Sequence, residues 1–215
     1  MISSRVLAFL SLILIFSIGN AQDIRGKWMQ IRIPNSINYP LVNIIEIRSD
    51  SIYAFDFDKL YEKGETKILG KNTLVLNDSL IVDFKFIGDN ILVQKSVNDV
   101  NVEHPVKFVR LLPTKDQDNQ VDSLYNKSFS IHFAHAKMKF VLGEKKAKGD
   151  AIIMDNPSIV TDHIIIEKVQ KTYFLCFYLL EKLSYAFPIK EIHLDTLIIY
   201  GIPNSENEVV ARRVN

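Results

Sequence analysis

From Ile44 onward the chain is broken into short apolar runs, and the breaks repeat one theme. Ile44–Ile47, Ile52–Phe57, Leu74–Leu76, Leu80–Ile87 and Ile91–Val93 are rich in β-branched and aromatic residues. In Leu80–Ile87, Phe84 and Phe86 fall on one face and Asp83 and Lys85 on the other, the pattern of a half-buried antiparallel strand. Between runs stand Asp50-Ser-Ile52, Asp78-Ser-Leu80, Asp89-Asn-Ile91 and Asp195-Thr-Leu197. In each, an acidic residue and a small polar one precede the aliphatic residue that opens the next run. An Asp side chain folds back onto its own backbone and closes a tight turn at such a place. Repeated strand–turn–strand units predict an all-β chain, an antiparallel meander arranged as a sandwich or barrel.

The first 21 residues stand apart from this pattern. Met1-Ile-Ser-Ser-Arg5 carries one positive charge, Val6–Ile18 is apolar, and Gly19-Asn-Ala21 is small. This is the layout of a secretory signal peptide, and its apolar run is shorter than the roughly 20 residues of a spanning helix. The expected mature chain is exported, periplasmic or secreted, with no transmembrane segment after cleavage. Basic and acidic residues nearly balance, 26 against 25, which removes any electrostatic reason to expect nucleic acid as a partner. Cys176 is the only cysteine, so no intramolecular disulfide forms and no cysteine follows the leader to take a lipid anchor. It sits in the apolar run Tyr173–Leu180, where it reads as a small core hydrophobe in a fully buried strand.

One stretch reads as a helix. Asp116–Asn126 is polar, follows Pro113, and places Val121, Leu124 and Tyr125 at helical spacing. It lies near the middle of the expected mature chain, and the sequences flanking it correspond. Ile24–Ile33 aligns with Leu124–Phe133 at an offset of 100, and Phe108–Leu112 with Val210–Val214 at an offset of 102. The expected organisation is a signal peptide over 1–21, a first β lobe over 22–113, a linker with a short helix over 114–122, and a related second lobe over 123–215. A single larger barrel built from both halves is the alternative.

Gly26-Lys27-Trp28 opens the first mature strand and resembles the Gly-x-Trp signature of lipocalin-like (calycin-type) barrels. The resemblance implies a small meander barrel, non-catalytic, that holds a small apolar ligand. It implies that Trp28 plugs the closed end and that a late Arg lies across it. Arg110 fills that part if the first half is the barrel, and Arg212 if the whole chain is one. In the second half, Ser128 stands where the Trp would be, with Phe129 next to it.

Motifs of catalysis are missing from the sequence. It has no Gly-rich phosphate loop, no Gly-x-Ser-x-Gly and no His-Glu-x-x-His. His132 and His135 are three apart in an alternating run, which puts them on opposite faces of a strand and argues against a shared metal. Asp56 and Asp58 are two apart, a pairing that reads as a solvated strand face with Phe55 and Phe57 turned inward. Lys145, Lys146 and Lys148 read as a loop tip. The expected function is that of a secreted non-catalytic binding protein. Its small hydrophobic ligand would sit in a lipocalin-like lobe lined by Phe55, Phe57, Phe84 and Phe86. The alternative is a protein-interaction module of the cell envelope, with filled lobes and an envelope protein as partner. No cofactor and no metal are expected.

Overall fold

A computed structural model describes residues 22–31, 42–116, 121–133, 136–143, 161, 163–202 and 207–214. Residues 1–21, expected to form a signal peptide, and His135 and the Lys145–Lys148 stretch lie outside the described residues. The molecule is all-β, with two antiparallel sheets and, among the described residues, one four-residue helix, α1 (Val121–Leu124).

The first sheet contains β1 (Gly26–Ile31), β2 (Asn43–Ile47), β3 (Ser51–Asp56), β4 (Lys59–Leu69), β5 (Thr73–Leu76), β6 (Leu80–Ile87), β7 (Ile91–Val97), β8 (Val100–Asn101) and β9 (Lys107–Arg110). Each of β1 to β7 pairs with the next, and β9 pairs with both β7 and β1, which closes an eight-stranded up-and-down barrel. The short β8 folds back on β7. This closed meander is compatible with a lipocalin-like fold.

The second sheet has β11 (Ser128–Phe133), β12 (Ala136–Val141), β13 (His163–Val169), β14 (Thr172–Leu179), β15 (Lys182–His193), β16 (Thr196–Ile199) and β17 (Val209–Val214). Its order is β12-β11-β17-β16-β15-β14-β13, a curled half-barrel, with β10 (Lys115–Asp116) added parallel to β15. Gly143 N donates to Ile164 O, and the Tyr125 hydroxyl to Ile166 O, so β13 does not present those carbonyls as a bare edge. As in the barrel, the first strand of this sheet pairs with the second and the last.

All four Asp-containing breaks fall between consecutive strands. Their chemistry differs from one to another. Asp50 accepts a hydrogen bond from the Ser51 hydroxyl, whereas Asn77 and Asp78 make the β5–β6 turn with their own left-handed backbones (φ 48° and 57°). That conformation suits a two-residue hairpin, and Asn and Asp tolerate it.

Side-chain alternation sorts the apolar residues into three cores. Trp28, Leu74, Phe84, Leu92 and Phe108 pack inside the barrel. Phe129, Ile131, Phe140, Leu175, Phe177 and Leu197 pack inside the half-barrel, with α1 contributing Leu124. The third core is the seam between the two lobes. Met29, Ile31, Ile44 and Val109 on the outside of the barrel meet Ile165, Phe174, Cys176 and Ala186 of the half-barrel. Strand β14 is therefore buried on both faces, with Leu175 and Phe177 turned one way and Phe174 and Cys176 the other. Each large side chain buried in this seam contributes about 1.5–3 kcal/mol. Gly201 (φ 67°) crosses the seam at close range, where an added Cβ would lie 2.8 Å from Val109.

The chain between the lobes is bound to the second one. Leu112 N donates to the Tyr200 hydroxyl, and Thr114 N donates to Lys171 O. The Thr114 hydroxyl donates to Ile189 O and accepts from Tyr173 N. Burial pushes the Tyr200 phenol up to about 12, against the opposite pull of the hydrogen bond it accepts from Leu112 N.

Candidate ligand-binding cleft

The four phenylalanines assigned to a ligand do not line one cavity. Phe84 is buried in the barrel core, edge-on to Phe108 at 6.4 Å, and Phe86 packs against the same core beside Trp28. Phe55 and Phe57 belong to the seam. The barrel interior therefore holds a contiguous cluster of large side chains. Arg110 lies over the Trp28 ring, 4.2 Å from its centroid. The same guanidinium donates to the carbonyls of Asp23 and Arg25, and Trp28 Nε1 donates to Ile24 O. Gly26 (φ 121°) makes this cross-over fit, because a Cβ there would lie 2.9 Å from Arg110 Nη1. Arg212, the other candidate for the Trp28 cap, is exposed on β17. In the second lobe Phe129 is fully buried and stacks on Phe140 at 5.8 Å, one residue beyond Ser128.

The Phe55–Asp58 stretch departs from its sequence pattern. Strand β3 stops at Asp56, which pairs with Lys59, and Phe57 turns into the left-handed region at φ 57°. A bulky residue seldom adopts this backbone. Two contacts hold it there: Phe57 N donates to Val42 O, and its ring meets Phe174 edge-on at 5.2 Å. Asp56 and Asp58 are exposed around a hairpin tip, and Phe57 is aimed into the seam.

At this end the seam opens into a cleft of about 660 Å³. Its apolar wall is Ile44, Phe55, Phe57, Leu111 and Val169, and its rim carries Lys27, Lys168, Lys171 and Asp58. Lys27 Nζ lies 5.3 Å from the Phe55 ring centroid and 3.1 Å from Glu46 Oε2. Burial works against the charged Glu46 carboxyl, but hydrogen bonds from Arg48 and Lys27 outweigh it and hold Glu46 below its ordinary range. Lys168 Nζ sits over the Tyr173 ring at 4.7 Å. The Thr172 hydroxyl donates to Leu112 O, which fixes the β13–β14 hairpin to the chain that forms the opposite wall. Among the described residues, no cluster of three His, Cys, Asp or Glu side chains is placed to hold a metal. No helix among them is long and apolar enough to cross a membrane.

Neither the models of known protein families nor the curated proteins give a match to this chain. The geometry of the site is accordingly what carries the functional reading. Of the four phenylalanines expected from sequence to line a ligand site, the cleft contains Phe55 and Phe57, and Asp58 of the carboxylate pair stands on its rim. Lys27, Ile44, Leu111 and Lys168 were not recognisable as its partners, since strand register alone brings them together.

Proposed function

We propose that this chain is an exported, non-catalytic binding protein that holds a small, largely apolar molecule in the seam cleft rather than inside the barrel. The cleft volume carries this reading, because about 660 Å³ falls within the roughly 300–1,000 Å³ of small-molecule sites. Its walls are aromatic and aliphatic, and among the described residues the polar groups that line it are Lys27, Asp58, Lys168, Gln170, Lys171 and Thr172, with no histidine, cysteine or serine. The lipocalin-like reading of the first lobe supports a non-catalytic role, although side chains occupy that barrel's interior.

Native mass spectrometry of the protein, purified without detergent from an exported fraction, tests the proposal. The expected result is an added mass that disappears on denaturation and is absent from Phe55→Asp. A bare mass that stays unchanged after incubation with a lipid and metabolite extract overturns it. That outcome favours the second reading, a protein-docking module of the cell envelope, which the filled barrel interior supports.

A further inference from the structure

The outward side of the half-barrel has a cationic row that the seam cleft does not use. Ile131, Met138 and Ala211 turn into the core, so their neighbours Ser130, His132, Lys137, Lys139 and Arg212 face the other way. Strand register sets three of them in line. Lys139 is opposite Ser130, and Ser130 is opposite Arg212. Directly opposite residues of antiparallel strands have Cα atoms about 4.5–5.5 Å apart, so the two cations stand about 10 Å apart with the serine between them. Lys137, opposite His132, adds a third positive charge further along the same face. The outward residues of β11, β12 and β17 include no carboxylate. Among the described residues, Asp195 is engaged by Arg213, and Glu191 by Lys115 and His193. Ser130 is only 6% exposed, and its Oγ makes no hydrogen bond among the described residues. A buried hydroxyl left unpartnered is costly, and a bound ion is one way to satisfy it.

We propose that Lys139, Ser130 and Arg212 form a binding site for a phosphate-type oxyanion. The guanidinium offers a planar fork, the ammonium a point charge and the hydroxyl a donor, and a tetrahedral dianion presents an oxygen to each. Lys139 and Arg212 are exposed, and their long side chains close on the anion from either side above Ser130. The site stands independently of the cleft, whose walls come from other strands.

Isothermal titration with inorganic phosphate tests it, each variant being checked for unchanged circular dichroism. Arg212→Ala and Lys139→Ala are each expected to weaken binding about ten- to a hundredfold, the loss of one charge-assisted contact. Ser130→Ala is expected to weaken it too, while Tm without phosphate stays level or rises because the unpartnered hydroxyl is gone. Lys85→Ala, which removes an exposed lysine from the barrel, is expected to bind as the wild type does. A comparable loss in Lys85→Ala overturns the site in favour of diffuse charge. Unchanged affinity in Ser130→Ala, or in the double variant Lys139→Ala/Arg212→Ala, also overturns it. Two further probes identify the source of the phosphate. Binding of glycerol 3-phosphate with the same dependence on the variants supports a free phosphate ester. Co-sedimentation with phosphatidic acid vesicles that is lost in the double variant, with no binding of the soluble anions, supports a lipid headgroup. Failure of inorganic phosphate, glycerol 3-phosphate and the vesicles together overturns the site.

Discussion

Arg110 performs three tasks with one planar group. It covers the face of Trp28 and ties down two backbone carbonyls of the segment that crosses the barrel end. A lysine offers a point charge on a flexible stem and lacks the fork that reaches both carbonyls. Arg110→Lys is therefore expected to cost about 1–3 kcal/mol in urea unfolding. An unchanged midpoint would show that the crossing segment does not depend on this contact. Phe57 is the opposite case, because its context in the fold overrides its local preference. Alternation in Phe55-Asp-Phe57-Asp58 reads as continuous strand, and no Gly or Asn announces a turn there. The left-handed backbone at Phe57 is maintained by a ring on another lobe, Phe174, which is far away in sequence. Local pattern carries no trace of such a contact.

At the scale of elements, the turns and the two-faced strand were the legible parts. Asp residues marked four strand boundaries because their side chains and backbones favour tight reversals. The unbroken apolar run Tyr173–Leu180 marked β14 because a strand buried on both faces has no polar side to alternate. Reading the middle of the chain as a linker missed how firmly its first part is attached. Leu112 and Thr114 are bonded to Tyr200, Lys171, Ile189 and Tyr173, and β10 joins the second sheet. Proteolysis is thus expected to spare Leu111–Asp116. Thr114→Ala removes one donor and one acceptor from partly buried backbone groups, at an expected cost of about 1–3 kcal/mol. Amide exchange at Tyr173 should quicken in that variant. Unaltered exchange would mean that the hairpin holds itself without the strap.

Across the whole molecule, the seam joins the two sheets through a shared core. Its core takes side chains from both lobes, and Gly201 admits Val109 at a distance that leaves no space for a methyl group. Gly201→Ala adds that methyl at a left-handed position. It is expected to destabilise by about 1–3 kcal/mol through overpacking and to loosen the seam. Cys176 lies in the same core at 0% exposure, so its thiol reports the opening directly. Reaction with a thiol reagent should be slow in the wild type and faster in Gly201→Ala. Equal rates in both would place the opening motion elsewhere. The seam cleft lay beyond sequence reasoning for a related reason. Its wall and rim come from strands of separate sheets, and their meeting depends on register and lobe docking rather than on local spacing.

The way each lobe closes bears on how the chain acquires its structure over time. Arg110 bonds to a residue 87 positions earlier, and β17 must return to β11 before the second sheet is complete. Pairings this distant are formed at a high entropic cost and set folding on the millisecond-to-second scale. During that interval Trp28 lacks its arginine cover, and the outer faces of β1 and β14 lack each other. The newly made chain therefore passes through a period of exposed apolar strand, and an early encounter with a chaperone would find its binding surface in the very strands that later form the seam.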